Sequence, residues 1–206
     1  MVNCKNIHHS ALTASMNILN VGYDSTNYYL LSNPKPLLLV DAGWSGTLPK
    51  LAHSLKRYNL QPKDIPYIIA THYHPDHAGL MQEIKQQGTK MIVMENQLQT
   101  VASLGQYMKP ENHYIPISLQ DNLTLNFAES RAFLAKIGIS GEIIPTPGHS
   151  DDSVTLILDD GSAFTGDLHP AEFVADEIEA EKARQSWERI RKLGGCKIYP
   201  GHGPVR

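Results

Sequence analysis

The sequence predicts an α/β fold, and three observations predict it. Short apolar runs, such as Leu37-Leu38-Leu39-Val40, alternate along the 206 residues with segments of helical period. Several of these runs end directly in a polar loop carrying His, Asp, Gly or Pro. Finally, Leu39-Val40-Asp41-Ala42-Gly43 and Phe164-Thr165-Gly166-Asp167 are both apolar strands entering an acidic loop, a weak echo that suggests two similar halves facing each other.

Taken in order, residues 15–21 and 26–32 read as paired strands around the turn Gly22-Tyr23-Asp24-Ser25. The continuous run Pro36-Leu37-Leu38-Leu39-Val40 reads as a buried strand. Leu48, Leu51, Leu55 and Tyr58 give residues 46–58 a helical period, which Pro62 and Asp64 end. Residues 65–70 are a second buried strand, and the polar loop 71–77 follows at once. A helix is expected over 77–88, a strand over 91–94 and a helix over 95–108, while 109–127 has no clean period. Residues 128–137 read as helix. Ile143-Ile144 leads into the loop 145–152. Val154–Leu158 and Ala163-Phe164 form a hairpin across Asp159-Asp160-Gly161. A charged helix covers 176–193, with Ile178, Trp187, Ile190 and Leu193 as its core contacts. The last strand is 196–199, before the loop Pro200-Gly201-His202-Gly203-Pro204.

A compact chain of this length buries enough core to fold without a disulfide or structural metal, so a metal here is expected to serve chemistry. The length alone fits one domain or two. Net charge is −3 with no cluster of Lys and Arg, which disfavours nucleic acid as a partner. The two cysteines, Cys4 and Cys196, make no disulfide framework and suit a reducing compartment, with Cys196 read as a small core residue. No basic stretch with a following apolar core marks a signal peptide, and no apolar run reaches the ~20 residues of a membrane helix. A cytoplasmic location is expected. The oligomeric state is not readable.

Ten scattered histidines are unusual. Seven residues of metal-binding type fall in four loops, each after an expected strand: His72, His74, Asp76 and His77; His149; Asp167; and His202. In extended backbone, residues two apart point the same way, so His72 and His74 can reach one point together. Asp76 and His77 lie beyond Pro75, where the chain turns, and are placed for a neighbouring point. Glycines flank the rest: Gly148, Gly166, Gly201 and Gly203. A lone loop histidine is ordinarily just solvated. Three histidines and an aspartate within six residues, with three more such loops, are not.

The His-x-His-x-Asp-His pattern at 72–77, with His149, Asp167 and His202 downstream, resembles the metallo-β-lactamase superfamily. The resemblance covers nearly the whole chain, from Leu37 to Gly203. It implies a four-layer αββα sandwich: two mixed sheets face to face with helices outside, in a single domain over residues 1–206. It implies that His72, His74 and His149 hold one metal, that Asp76, His77 and His202 hold a second, and that Asp167 bridges them. Asp41 matches the family's acid after the early strand, which orients a ligating histidine from behind. Catalysis would run through a metal-bound hydroxide, with Asp76 and His77 among its supports, since metal lowers the pKa of water from 15.7 towards about 7. Two divalent ions are implied. Zinc is the default for nitrogen and oxygen ligands, and iron or manganese also fit.

Within that superfamily the full seven-residue set resembles glyoxalase II and the lactonases. The chain stops four residues after His202, so a C-terminal substrate domain is not expected. The expected activity is hydrolysis of a small ester, thioester or lactone. The alternatives are an iron-dependent persulfide dioxygenase, using His72, His149 and Asp167 on one iron, and a phosphodiesterase. Among residues with weaker claims, Tyr73 is expected to point into packing and Asp151 and Asp152 to shape their loop. His169 is a rim or supporting residue. His113, Tyr107 and Met108 could roof the pocket. His8, His9 and His53 are expected on the surface.

Overall fold

The computed structural model describes residues 16–206, so Cys4, His8 and His9 lie outside the described residues. Among the described residues, ten strands form two mixed sheets. The first has six in the order β1-β2-β3-β4-β5-β6: β1 Asn17–Asn20, β2 Tyr29–Ser32, β3 Pro36–Val40, β4 Tyr67–Ile69, β5 Lys90–Met94 and β6 Leu123–Leu125. Its first three strands pair antiparallel and β3 to β6 run parallel. The second has four in the order β10-β9-β8-β7: β7 Gly141–Pro145, β8 Val154–Leu158, β9 Ser162–Gly166 and β10 Lys197–Pro200. Here β7, β8 and β9 pair antiparallel and β10 runs parallel to β9.

The apolar runs are continuous because most of these strands are buried on both faces. Alternate residues go to different layers. Leu31, Val40, Ile69, Ile92 and Met94 meet Ile143, Leu156, Phe164 and Tyr199 between the sheets. Their neighbours Leu30, Leu39, Ile68, Met91 and Val93 face outward against helices α1 (Leu48–Lys56), α3 (Met81–Lys85) and α4 (Leu98–Ser103), through Leu51, Leu55, Ile84 and Val101. On the far side, Ile157 and Ala163 pack on Ala183 and Ile190 of α6 (Glu177–Lys192). Helix, sheet, sheet, helix: the expected αββα sandwich is the fold.

Local departures have local causes. The helix expected at 77–88 is two short ones, α2 (Pro75–Ala78) and α3. Pro75 opens α2 because its missing N–H and fixed φ suit a first helical position. The ladder then breaks where Leu80 N donates instead to Gly43 O at 2.8 Å. The segment 95–108 is helical as far as Tyr107, with α4 flanked by 3-10 turns at Glu95–Gln97 and Leu104–Tyr107. Helix α5 (Phe127–Lys136) matches expectation and is capped by Asn126, whose side chain accepts from Glu129 N at 3.0 Å. In α6, Ile190 is buried and Trp187 packs beside it, but Ile178 and Leu193 are exposed, so two of the four expected core contacts are corrected. Cys196 is half-buried rather than a residue of the core. Among the described residues no helix is long and apolar enough to cross a membrane.

Three phenols, Tyr28, Tyr29 and Tyr73, are almost fully buried, and burial holds each above the usual tyrosine value of 10.0. The unfolded chain loses these protons first as pH rises past 10, so the folded state is destabilised there. The expected loss is about 1.4 kcal/mol per pH unit per phenol. Followed together with circular dichroism, the phenolate absorbance of at least three of the nine tyrosines should appear only in the cooperative unfolding transition above pH 10; all nine ionising on a still-folded chain would contradict it.

Candidate metal centre

Five loops converge at one edge of the sandwich, each at the C-terminal end of a strand: after β3, β4, β7, β9 and β10. The loop after β4 brings His72 and His74 from extended backbone, then Asp76 and His77 from α2. The loops after β7, β9 and β10 bring His149, Asp167 and His202 from the second sheet. All seven expected residues meet here. Ligand atoms lie within 4.8 Å of one another in three groups: His72, His74 and His149; Asp76, His77 and His202; and His72, His77 and Asp167. Asp167 thus touches members of both halves. Its Oδ1 is 3.3 Å from His77 Nε2, and its Oδ2 is 3.4 Å from His202 Nε2 and 3.8 Å from His149 Nε2.

Polarity at the centre calls for a cation. His202 Nδ1 donates to Ser25 O at 2.7 Å, which aims Nε2 at Asp76 Oδ2, 3.1 Å away. His77 Nδ1 lies 3.0 Å from Asp41 Oδ2, which turns its Nε2 toward Asp76 and Asp167. His149 Nε2 and His74 Nδ1 stand 3.0 Å apart. His72 Nε2, His77 Nε2 and Asp167 Oδ1 are buried without an aligned hydrogen-bond partner. Buried polar atoms are ordinarily satisfied. Imidazole nitrogens and carboxylate oxygens left facing one another are the donor set that divalent metals take, so the residues fit such ions.

The electrostatics agree. Burial, then the neighbouring histidines, hold His72 well below the usual imidazole value. Burial alone would lower His77 too, but the carboxylates of Asp41 and Asp167 overcome it and push it up to about 10. His149 is lowered by burial, against the pull of Asp167. Burial would raise Asp167, yet His77, His202 and His149 more than offset that and hold it below its ordinary value. His72 and His77 form the closed floor, whereas the His202 side chain is 40% exposed and that of His149 22%. Solvent reaches the centre from the His149–His202 side.

Glycine at 201 makes the approach possible. A Cβ there would stand 2.4 Å from Asp167 Oδ1 and 2.5 Å from His77 Cε1.

Further residues support the centre from behind. Thr26 Oγ1 donates to Asp76 Oδ2 at 3.2 Å, so the turn after β1 holds Asp76 as well as His202. Thr71 joins Asp41 and His72. Buried Asp152 accepts from Tyr73 N at 2.8 Å, and fully buried Gln97 donates to Ala70 O and Asp152 O, tying the loop after β4 to the loop after β7. These are ordinary polar residues whose partners lie far along the chain, and no local pattern marks them. Tyr73 points into packing, as expected, and Asp151 pairs with Lys182 on the surface. His169 is exposed, with its ring 6.3 Å from that of His149, and accepts from Trp187 Nε1 through its carbonyl. The donor groups do not include His113 or His53, both exposed. Tyr107 is exposed and Met108 packs into the outer core, so neither is brought into these groups.

A family model for the metallo-beta-lactamase superfamily matches residues 21–202. A probable metallo-hydrolase of Methanocaldococcus jannaschii is 31% identical over 202 residues, covering 89% of this chain and 90% of its own. A beta-lactamase-like protein 2 homolog of Drosophila melanogaster is 28% identical; the match takes 87% of this chain but only 59% of that protein. A thioesterase of Emericella nidulans is 30% identical over 86% of this chain and 46% of its own. The chain therefore spans about half to three fifths of some longer relatives. Among solved structures, a metallo-beta-lactamase family protein of Thermus thermophilus superposes with a TM-score of 0.71 at 22% identity, over 95% of this chain and 75% of the other. The chain belongs to the metallo-beta-lactamase superfamily.

Proposed function

We propose that residues 1–206 form one catalytic unit, a dinuclear metal-dependent hydrolase of small esters, thioesters or lactones. The observation that carries this is the contact of Asp167 with members of both histidine groups. His72, His74 and His149 would hold one ion and Asp76, His77 and His202 the other, with Asp167 between them. Two divalent ions there, zinc by default, would supply Lewis acidity and lower the pKa of water. The chain's own part is to present neutral imidazole nitrogens and two carboxylates in a fixed frame. Asp41 holds His77, Ser25 holds His202, and Thr26 holds Asp76. Substrate would enter over His149 and His202, with His202 the most exposed member. Names of relatives favour the thioester arm: the Emericella protein is called a thioesterase, and an Aspergillus fumigatus relative an atrochrysone carboxyl ACP thioesterase.

The second group, Asp76, His77 and His202, supports two ions over the single iron of a persulfide dioxygenase. Elemental analysis followed by a substrate panel on the same sample tests this. Two metals per chain and cleavage of an activated thioester, ester or lactone are expected, lost in His74→Ala. One iron with oxygen consumption, or no cleavage of any of these or of a phosphodiester by the metal-loaded protein, overturns the reading.

A further inference from the structure

Asp41 is almost fully buried and adopts φ 63°, a left-handed conformation uncommon outside glycine. Its backbone N donates to Ile69 O at 2.9 Å, which sets it at the end of β3 facing β4. The carboxylate is surrounded by hydrogen-bonding groups. Thr71 N donates to Oδ1 at 2.7 Å, Thr71 Oγ1 lies 2.9 Å from Oδ2 and 3.1 Å from Oδ1, and His77 Nδ1 lies 3.0 Å from Oδ2. Thr71 Oγ1 is also 3.1 Å from His72 Nδ1.

Counting hydrogens assigns the directions. A carboxylate only accepts, and a hydroxyl has one hydrogen. The Thr71 hydrogen goes to Asp41, so toward His72 the Thr71 oxygen can only accept. His72 then carries its hydrogen on Nδ1. His77 gives its own Nδ1 hydrogen to Asp41 directly. In the neutral form of each ring, Nε2 is left as the lone pair, and both Nε2 atoms are buried among the donor groups. His72 belongs to one three-histidine group and His77 to the other set.

We infer that Thr71 is a positioning residue that relays the Asp41 carboxylate to His72, so that one buried carboxylate fixes the donor tautomer in both halves of the centre. The consequence for metal rests on the two-metal reading; the tautomer of His72 does not. Residue 166 must be small for the relay to fit. A Cβ there would stand 2.4 Å from Thr71 Oγ1 and 3.3 Å from His72 Nδ1.

The test has two readouts. In the metal-free wild-type protein, nitrogen-15 ring NMR at a pH where His72 is neutral should show His72 protonated at Nδ1. In Thr71→Val, which keeps the shape and removes the hydroxyl, the Nε2-protonated form should appear. Stepwise zinc affinities by chelator competition should fall ~10–100-fold for the ion held by His72, His74 and His149, the usual size when a ligand loses its supporting partner. The other ion should stay near wild type. Thr71→Ser should restore both readouts, and Asp41→Asn should weaken both ions. Wild-type His72 protonated at Nε2 overturns the relay even if the valine variant fails to fold. So does a folded Thr71→Val protein with unchanged tautomer and affinities. A chain that binds no pair of metals would sink the proposed function while the wild-type ring spectrum still decides the relay.

Discussion

Asp167→Ala should reduce metal-dependent hydrolysis at least about 1,000-fold. Asp167 faces His77 and His202 on one side and His149 on the other. Removing it takes a negative charge from both proposed ions and leaves three imidazoles without their shared counter-charge. Electrostatic support worth several kcal/mol is then lost, at about 1.4 kcal/mol per factor of ten. The fold should survive, because Asp167 lies in the loop after β9, outside the apolar layers. Metal content and kcat/KM measured on the same folded sample check this. A variant that keeps two metals and activity within tenfold of wild type would remove Asp167 from the centre.

Gly201→Ala should cost about 100-fold in kcat/KM, although it adds one carbon and deletes no ligand. Gly201 does not occupy a left-handed conformation, so the backbone itself tolerates alanine. The new methyl would instead press on Asp167 Oδ1 and His77 Cε1. Displacing reactive groups by about 1 Å is enough for a loss of that order. Overpacking of this kind costs about 1–3 kcal/mol of stability. A melting temperature lowered by only a few degrees, alongside a collapse in activity and metal retention, is the expected pattern; unchanged kinetics would show that the loop after β10 yields freely.

Much of this was legible in the sequence because burial on both strand faces leaves uninterrupted apolar runs. Leu38-Leu39-Val40 and Ile68-Ile69 could hardly be anything else. The seven donors were legible because they cluster locally or sit beside glycines in loops after such runs. What escaped depends on distance along the chain. Strand β6 is three residues long, with Thr124 exposed between half-buried Leu123 and Leu125, too weak an alternation to stand out. The break at Gly79-Leu80 comes from a hydrogen bond to Gly43. Ile178 fits the helical period of α6 but lies in its first turn, beyond the layer it was expected to meet. Thr26 and Thr71 are ordinary polar residues until β2, β3 and β4 are laid side by side.

His72, His74, Asp76 and His77 hang from the six-stranded sheet, and His149, Asp167 and His202 from the four-stranded one. With ions in place, the proposed centre would be a rivet between the two sheets. The unfolded chain, holding these groups scattered across 131 positions from His72 to His202, could offer an ion little more than the short segment at 72–77. Ligands that bind the folded state alone stabilise it by mass action. Loading would therefore follow assembly of the sandwich, and resistance to unfolding would track free metal concentration, making the same ions a clasp on the architecture as well as its reagent.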